Sequence, residues 1–220
     1  MGEPAWMAER GRRLAALGMV AVAPQYRLAD EKTITPLDAM ADVREVVRWM
    51  RRNAQSLGID EDRIAALGVS AGGHLAMAAA LIDPDSAADA LSAAANAFVL
   101  WYPALSLGRD RWLERILLGR VPVSSIDPVA HVKSGIGPSL IFVGANDSLT
   151  PLMGQEEFCA RMRTAGNACA VQLYPGLGHL FMKNPWGEGN EPADSTARAD
   201  ASLRAERFLD SLGYLVRRQP

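Results

Sequence analysis

Strand-sized apolar runs alternating with segments of helical periodicity set the tightest limit on how this chain can fold. Five such runs occur, at residues 19–26, 63–70, 97–103, 139–145 and 168–175. Most are apolar at successive positions, which suits strands covered on both faces, as in a parallel sheet. Between the first two lies segment 36–57, where Met40, Val43, Val47, Met50 and Ala54 recur at helical spacing. Thr35 is expected as its N-cap, Pro36 as its first helical residue and Asp38 as the partner in a box-like start. Arg44, Glu45, Arg48 and Arg51 fall between the apolar positions and read as the solvated face. Thr150 and Pro151 are expected to open another helix in the same way, carrying Phe158 and Met162 inward. A last helix places Ala201, Ala205, Phe208 and Leu212 on one stripe before the tail Arg217 to Pro220. This alternation predicts an α/β fold with a mostly parallel sheet, helices on both faces and right-handed crossovers.

The 220 residues carry 23 Lys+Arg against 25 Asp+Glu, with 49% hydrophobic and 22% charged residues. That composition is expected of one domain over 1–220, within which 105–132 stands apart as a small cap or insert containing a short helix at 111–118. The net charge of −2 argues against a nucleic-acid groove or a polybasic membrane patch, since either needs surplus Lys and Arg on one face. No apolar stretch is long enough for a membrane span, and residues 1–13 lack a signal peptide's apolar core, so the chain as written is expected in the cytoplasm. Export stays open if a longer N-terminus exists. Cys159 and Cys169 are not spaced as a zinc knuckle or a redox CxxC and are expected as reduced, mostly buried thiols. With three His in all, a His/Cys metal site is poorly supplied.

The second apolar run ends in Gly68-Val69-Ser70-Ala71-Gly72, followed by Gly73 and a helix-competent segment. A GxSxG at a strand-to-helix junction lifts the serine hydroxyl clear of the sheet on a tight, strained turn for which glycines leave room. The pattern alone is modest evidence; its place between a buried strand and a helix strengthens it. A serine hydroxyl is a poor nucleophile until a base takes its proton, and that base needs an orienting acid. Asp147 follows the fourth run in Gly144-Ala145-Asn146-Asp147-Ser148-Leu149-Thr150-Pro151, and His179 follows the fifth in Pro175-Gly176-Leu177-Gly178-His179. Both are expected on the sheet edge that holds Ser70. Two other histidines compete for the role of base. His74 lies one helical turn after Ser70 and reads as support for the elbow, while His131 lacks a strand-end context.

At these residues the chain resembles the esterase/lipase group of α/β-hydrolases, which includes hormone-sensitive-lipase-like carboxylesterases, feruloyl esterases and carbohydrate esterases. The matching pieces are Tyr26-Arg27-Leu28, Asp42 through Trp49, Asp62-Arg63-Ile64, Gly68 to Ala76 (GVSAGGHLA), Tyr102-Pro103, Gly144 to Pro151 (GANDSLTP) and Gly176 to Phe181 (GLGHLF). The resemblance implies an acyl-enzyme mechanism in which Ser70 attacks an ester carbonyl, His179 shuttles the proton and Asp147 holds the imidazole. It implies the Ala71 backbone N–H as an oxyanion donor, with further donors from an HGGG-type loop. SAGGHLA and the ending Ser211-Leu212-Gly213-Tyr214-Leu215 tilt the expectation toward carbohydrate esters.

Relatives carry a strand and an HGGG-type segment before the helix that leads to the YRL run, whereas here Met1 stands in what resembles that helix and no HGG occurs. Three outcomes are expected for the sheet: direct pairing of runs 19–26 and 63–70, a strand from a partner chain, or a truncated reading frame, the last being favoured. The functional expectation is a serine carboxylesterase that needs neither metal nor cofactor and acts on short acyl esters, including O-acetyl groups on sugars. Trp101, Trp112, Phe181 and Trp186 are candidate pocket or sugar-stacking residues. A peptidase or amidase with the same triad is one alternative. A catalytically silent hydrolase-fold protein that binds a ligand or partner, motivated by the missing oxyanion loop, is the other. Small-molecule or carbohydrate esters are the expected partners, with oligomeric state open.

Overall fold

Four of the five apolar runs form strands: β1 (Ala65–Val69), β2 (Ala97–Trp101), β3 (Ser139–Gly144) and β4 (Cys169–Tyr174). They pair in parallel in the order β1-β2-β3-β4, with Val69 opposite Trp101, Trp101 opposite Phe142 and Gly144 opposite Tyr174, so all four carboxyl ends share one edge. The computed structural model describes residues 7–83, 91–108, 111–187 and 192–216; the expected tail Arg217 to Pro220 lies outside these. The helices are α1 (Ala8–Ala16), α2 (Pro36–Arg52), α3 (Ala54–Leu57), α4 (Ala71–Leu81), α5 (Arg111–Ile116), α6 (Leu152–Thr164) and α7 (Ser195–Ser211). None is long and apolar enough to cross a membrane.

Side chains alternate across the pleat and build a core on each face. Phe98, Leu100, Ile141 and Cys169 pack against Met77 and Ala80 of α4 and Phe158, Cys159 and Met162 of α6. Val99, Trp101, Phe142 and Tyr174 pack against Leu14 of α1 and Ala197, Ala201, Ala205 and Leu209 of α7. The α7 stripe is therefore centred on Leu209, with Phe208 half-buried beside it. α4 is apolar nearly all round because it lies between the sheet and α2: Leu75 and Ala78 meet Ala39 and Met40, and Leu117, Val123 and Ile126 of the 105–132 stretch close the same cluster. Fully burying an aliphatic or aromatic side chain of this size is worth about 1.5–3 kcal/mol, so these layers hold the strand ends where the site forms.

Several local expectations are corrected. Residues 19–26 join no ladder, with Val20 and Val22 exposed, and so do not pair directly with β1. Extended backbone becomes a strand only where a neighbour completes its hydrogen bonds. The chain there is tied down instead by Arg27, whose N–H and guanidinium donate to Asp42 while the guanidinium also reaches Asp38. The α2 start is as expected, Thr35 N–H and hydroxyl both donating to Asp38 at 2.9 Å. Its arginines are not a solvated face: Arg44 and Arg51 are buried. Arg44 donates to Ile82 O and Arg48 to Asp83, while Arg51 reaches Ser92 O, Ala94 O and Asn96. Carbonyls outside the helices and the sheet need donors, and long guanidinium side chains supply them. α6 begins at Leu152 with Pro151 as N-cap, and the Thr150 hydroxyl is used elsewhere.

The two cysteines are not free thiols. Cys159 and Cys169 form a disulfide with a Cα–Cα distance of 5.2 Å, linking α6 to the first residue of β4. Closing a loop of this size restricts the unfolded chain, and reducing it should lower the unfolding free energy by about 2–4 kcal/mol. Urea denaturation with and without reductant measures this; coincident midpoints would show that the link adds no stability.

Candidate active site

The turn from β1 into α4 positions Ser70. Its φ is +52° and ψ −119°, a conformation costing a non-glycine residue about 1–3 kcal/mol, held by Ser70 N–H donating to Trp101 O at 2.9 Å and by Gly73 and His74 N–H donating to Ser70 O. Close packing explains the glycines: a Cβ on Gly68 would stand 2.5 Å from Gly72 O and Gly73 Cα, whereas Gly72, also expected to make room, has open space around its Cβ position. Ala71 is the first residue of α4, so its N–H has no acceptor within the helix.

The loops after β3 and β4 bring the acid and the base to this turn. They are stitched together by backbone bonds from Asn146 N–H to Leu177 O at 2.8 Å and from Ser148 N–H to Pro185 O at 3.0 Å. His179 opens a short 3-10 turn in which Leu180 and Phe181 both have positive φ. Its Nε2 lies 2.9 Å from Ser70 Oγ and its Nδ1 2.9 Å from Asp147 Oδ2. The three residues predicted from sequence thus meet, with His179 and Asp147 both buried.

Hydrogen bonding defines the protonation pattern this geometry supports. Asp147 Oδ1 accepts from Leu149 N–H at 3.0 Å and Thr150 N–H at 2.8 Å. Oδ2 is shared by the Thr150 hydroxyl at 2.9 Å and His179 Nδ1. A carboxylate surrounded by donors accepts from Nδ1–H, which leaves Nε2 as the acceptor facing the serine hydroxyl. The arrangement can draw a proton from Ser70 and stabilise the resulting imidazolium. Thr150 was expected only as a helix opener, although its place three residues after Asp147 is the spacing of a local side-chain-to-backbone turn. Tyr102 is read in sequence only as part of the matching Tyr102-Pro103 piece, with no contact to the histidine expected of it. Its ring meets the His179 ring edge-on at 5.1 Å, and its backbone φ is +38°.

The other candidates have different roles. His74 Nδ1 lies 3.0 Å from Ala104 O, and His131 Nε2 lies 2.9 Å from Ser124 O. Neither contacts Ser70 as base. Trp101 and Phe181 are core residues, Trp101 beside Phe142 and under the Arg10 guanidinium, Phe181 between Tyr102 and Tyr174, so they offer no stacking face. Trp112 and Trp186 are exposed.

Burial pushes the His74 imidazole from its ordinary 6.5 down to about 4. A pKa depressed by folding contributes stability above the unfolded value that is lost as pH falls from 6.5 toward 4, on the order of 3 kcal/mol for this shift. The stability of wild type should therefore fall more steeply than that of His74→Asn across this window. Parallel urea-derived curves for the two would contradict it.

Known proteins resemble this chain in sequence and fold. The model of the alpha/beta hydrolase fold family matches residues 1–183. The probable carboxylic ester hydrolase LipM of Mycobacterium tuberculosis is 31% identical over 217 residues, covering 89% of this chain and 48% of LipM. The acetylxylan esterase of Xylanibacter ruminicola is 26% identical over 177 residues, covering 73% of this chain and 34% of that enzyme. The chain thus spans half or less of the length of these two curated relatives. Esterase 2 of Thermogutta terrifontis, solved with propionate bound, superposes with a TM-score of 0.84 at 32% identity, covering 100% of this chain and 81% of that one. By family model, sequence and superposition, the chain belongs to the alpha/beta hydrolase fold family.

Proposed function

We propose that the protein is a serine carboxylesterase acting on short acyl esters, with Ser70 as nucleophile, His179 as general base and acid, and Asp147 as the orienting carboxylate. The observation that carries this reading is the unbroken contact chain from Ser70 Oγ through His179 to Asp147, at 2.9 Å for each link. Ser70 Oγ bonds to the ester carbonyl carbon as its proton passes to His179 Nε2. The carbonyl oxygen becomes an oxyanion, to which Ala71 N–H donates. Collapse breaks the ester C–O bond, and His179 returns the proton to the departing alcohol. Water then attacks the acyl-serine by the same route, releasing the acid and restoring Ser70. The chemistry so described runs through this chain's own residues.

Short acyl groups are supported by the Thermogutta terrifontis relative, solved with propionate and with butyrate. O-acetyl groups on carbohydrates are the finer choice, supported by the acetylxylan esterase relative.

Stopped-flow mixing with p-nitrophenyl acetate should give a p-nitrophenol burst in wild type and none in Ser70→Ala. A folded wild type without turnover would favour a silent binding protein. Matched turnover of an anilide bearing the same acyl group would favour an amidase. Thr150→Val, which removes one donor from the Asp147 carboxylate and keeps the volume, should lower kcat about tenfold with little change in KM. An unchanged kcat would show that the hydroxyl does not help orient the acid.

A further inference from the structure

Tyr102, Pro103 and Ala104 carry the chain out of β2, and each of their carbonyl oxygens lies against a side chain of α4, of α6 or of the loop that holds Asp147. Thr150 Oγ1 lies 3.1 Å from Tyr102 O, Gln155 Nε2 donates to Pro103 O at 2.7 Å, and His74 Nδ1 lies 3.0 Å from Ala104 O. A carbonyl oxygen only accepts, so His74 presents Nδ1–H to Ala104. Thr150 belongs to the loop of Asp147, Gln155 to the first turn of α6 behind that loop, and His74 to α4, one turn beyond Ser70. α4 also presses on the segment directly, since a Cβ on Gly73 would stand 2.7 Å from Pro103 Cβ. The Tyr102 ring completes the set by meeting His179. Three residues of backbone therefore touch the surroundings of all three members of the triad.

Two of the braces carry an unrewarded cost. Among the described residues, His74 Nε2 and Gln155 Oε1 are the buried side-chain atoms without a hydrogen-bond partner. An orphaned interior polar atom is destabilising, and an apolar side chain of similar volume avoids it. Both orphans fall on the residues that hold consecutive carbonyls of one segment, which packing alone does not account for.

We propose that His74 and Gln155 are positioning residues: they clamp the backbone at Pro103 and Ala104 between the nucleophile helix and the acid loop, and so hold Ser70 in line with the His179–Asp147 pair. This rests on the esterase reading, in which alignment of the three groups sets the rate. Misplacement of reacting groups by a fraction of an ångström to an ångström costs rate with little effect on ground-state binding.

The test combines kinetics with a readout that needs no turnover. His74→Leu and Gln155→Met, which keep volume and remove the donor, should each lower kcat per burst-titrated site about tenfold with KM within about twofold, while His74→Asn, whose Nδ2 can occupy the place of Nδ1, stays within about threefold. The chain has three histidines, so the downfield proton resonance of the His179 Nδ1–H is assignable. It should move or broaden in the two apolar variants and hold in His74→Asn. Should His74→Leu fail to fold, Gln155→Met decides on the same readouts. Folded variants with lowered melting temperature, unchanged kcat per site and an unmoved resonance would mark both residues as structural and overturn the proposal. If wild type hydrolyses no ester, the esterase reading fails and the resonance alone decides whether the clamp positions His179.

Discussion

Ser70 holds a backbone conformation that a non-glycine residue adopts only under constraint, φ +52°, and the rest of the site is arranged around it. The constraint is supplied from two sides. β1 delivers Val69 in register with Trp101, whose carbonyl takes the Ser70 N–H, and α4 starts at once, its first turn closing on Ser70 O. Gly68 admits that turn because no side chain intervenes between it and the glycines that follow. A hydroxyl raised in this way meets the loops of the neighbouring parallel strands, since their carboxyl ends lie on the same edge.

Burial turns this geometry into a chemical asymmetry. Asp147 is withdrawn from water and surrounded by two backbone N–H groups, the Thr150 hydroxyl and the imidazole. A negative charge in that setting attracts a positive one far more strongly than it would in water, which favours an imidazolium forming next to it. His179, paired with Asp147, is thereby distinguished from His74, which is buried without a carboxylate and is pushed toward the neutral form. One histidine can collect a proton; the other supports the scaffold as a fixed donor.

The three residues that meet at the site were legible in sequence because each follows a strand end, and strand ends can be read from apolar runs bounded by Gly, Asp and Pro. What the sequence did not disclose depends on contacts between distant segments. Residues 19–26 have the composition of a strand, but strand structure needs a partner's hydrogen bonds, and none is met among the described residues. Arg44 and Arg51 look solvated at helical spacing, yet the carbonyls of Ile82, Ser92 and Ala94 come to lie against their guanidinium groups and take their N–H donors. Cys159 and Cys169 look like isolated thiols until α6 is laid along β4. Thr150 has the residue type and position of a helix cap, but its hydroxyl turns instead to the Asp147 carboxyl three residues earlier and to Tyr102 O, which only the folded chain brings beside it.

The central claim is that the Ser70 hydroxyl is activated by His179, and covalent capture tests it most directly. Incubation with an alkyl fluorophosphonate followed by peptide mass spectrometry should place a single phosphonyl group on Ser70 in wild type, with the label lost in a folded His179→Ala variant. An unlabelled wild type, or a label on Ser70 that persists at the same rate without His179, would contradict the account.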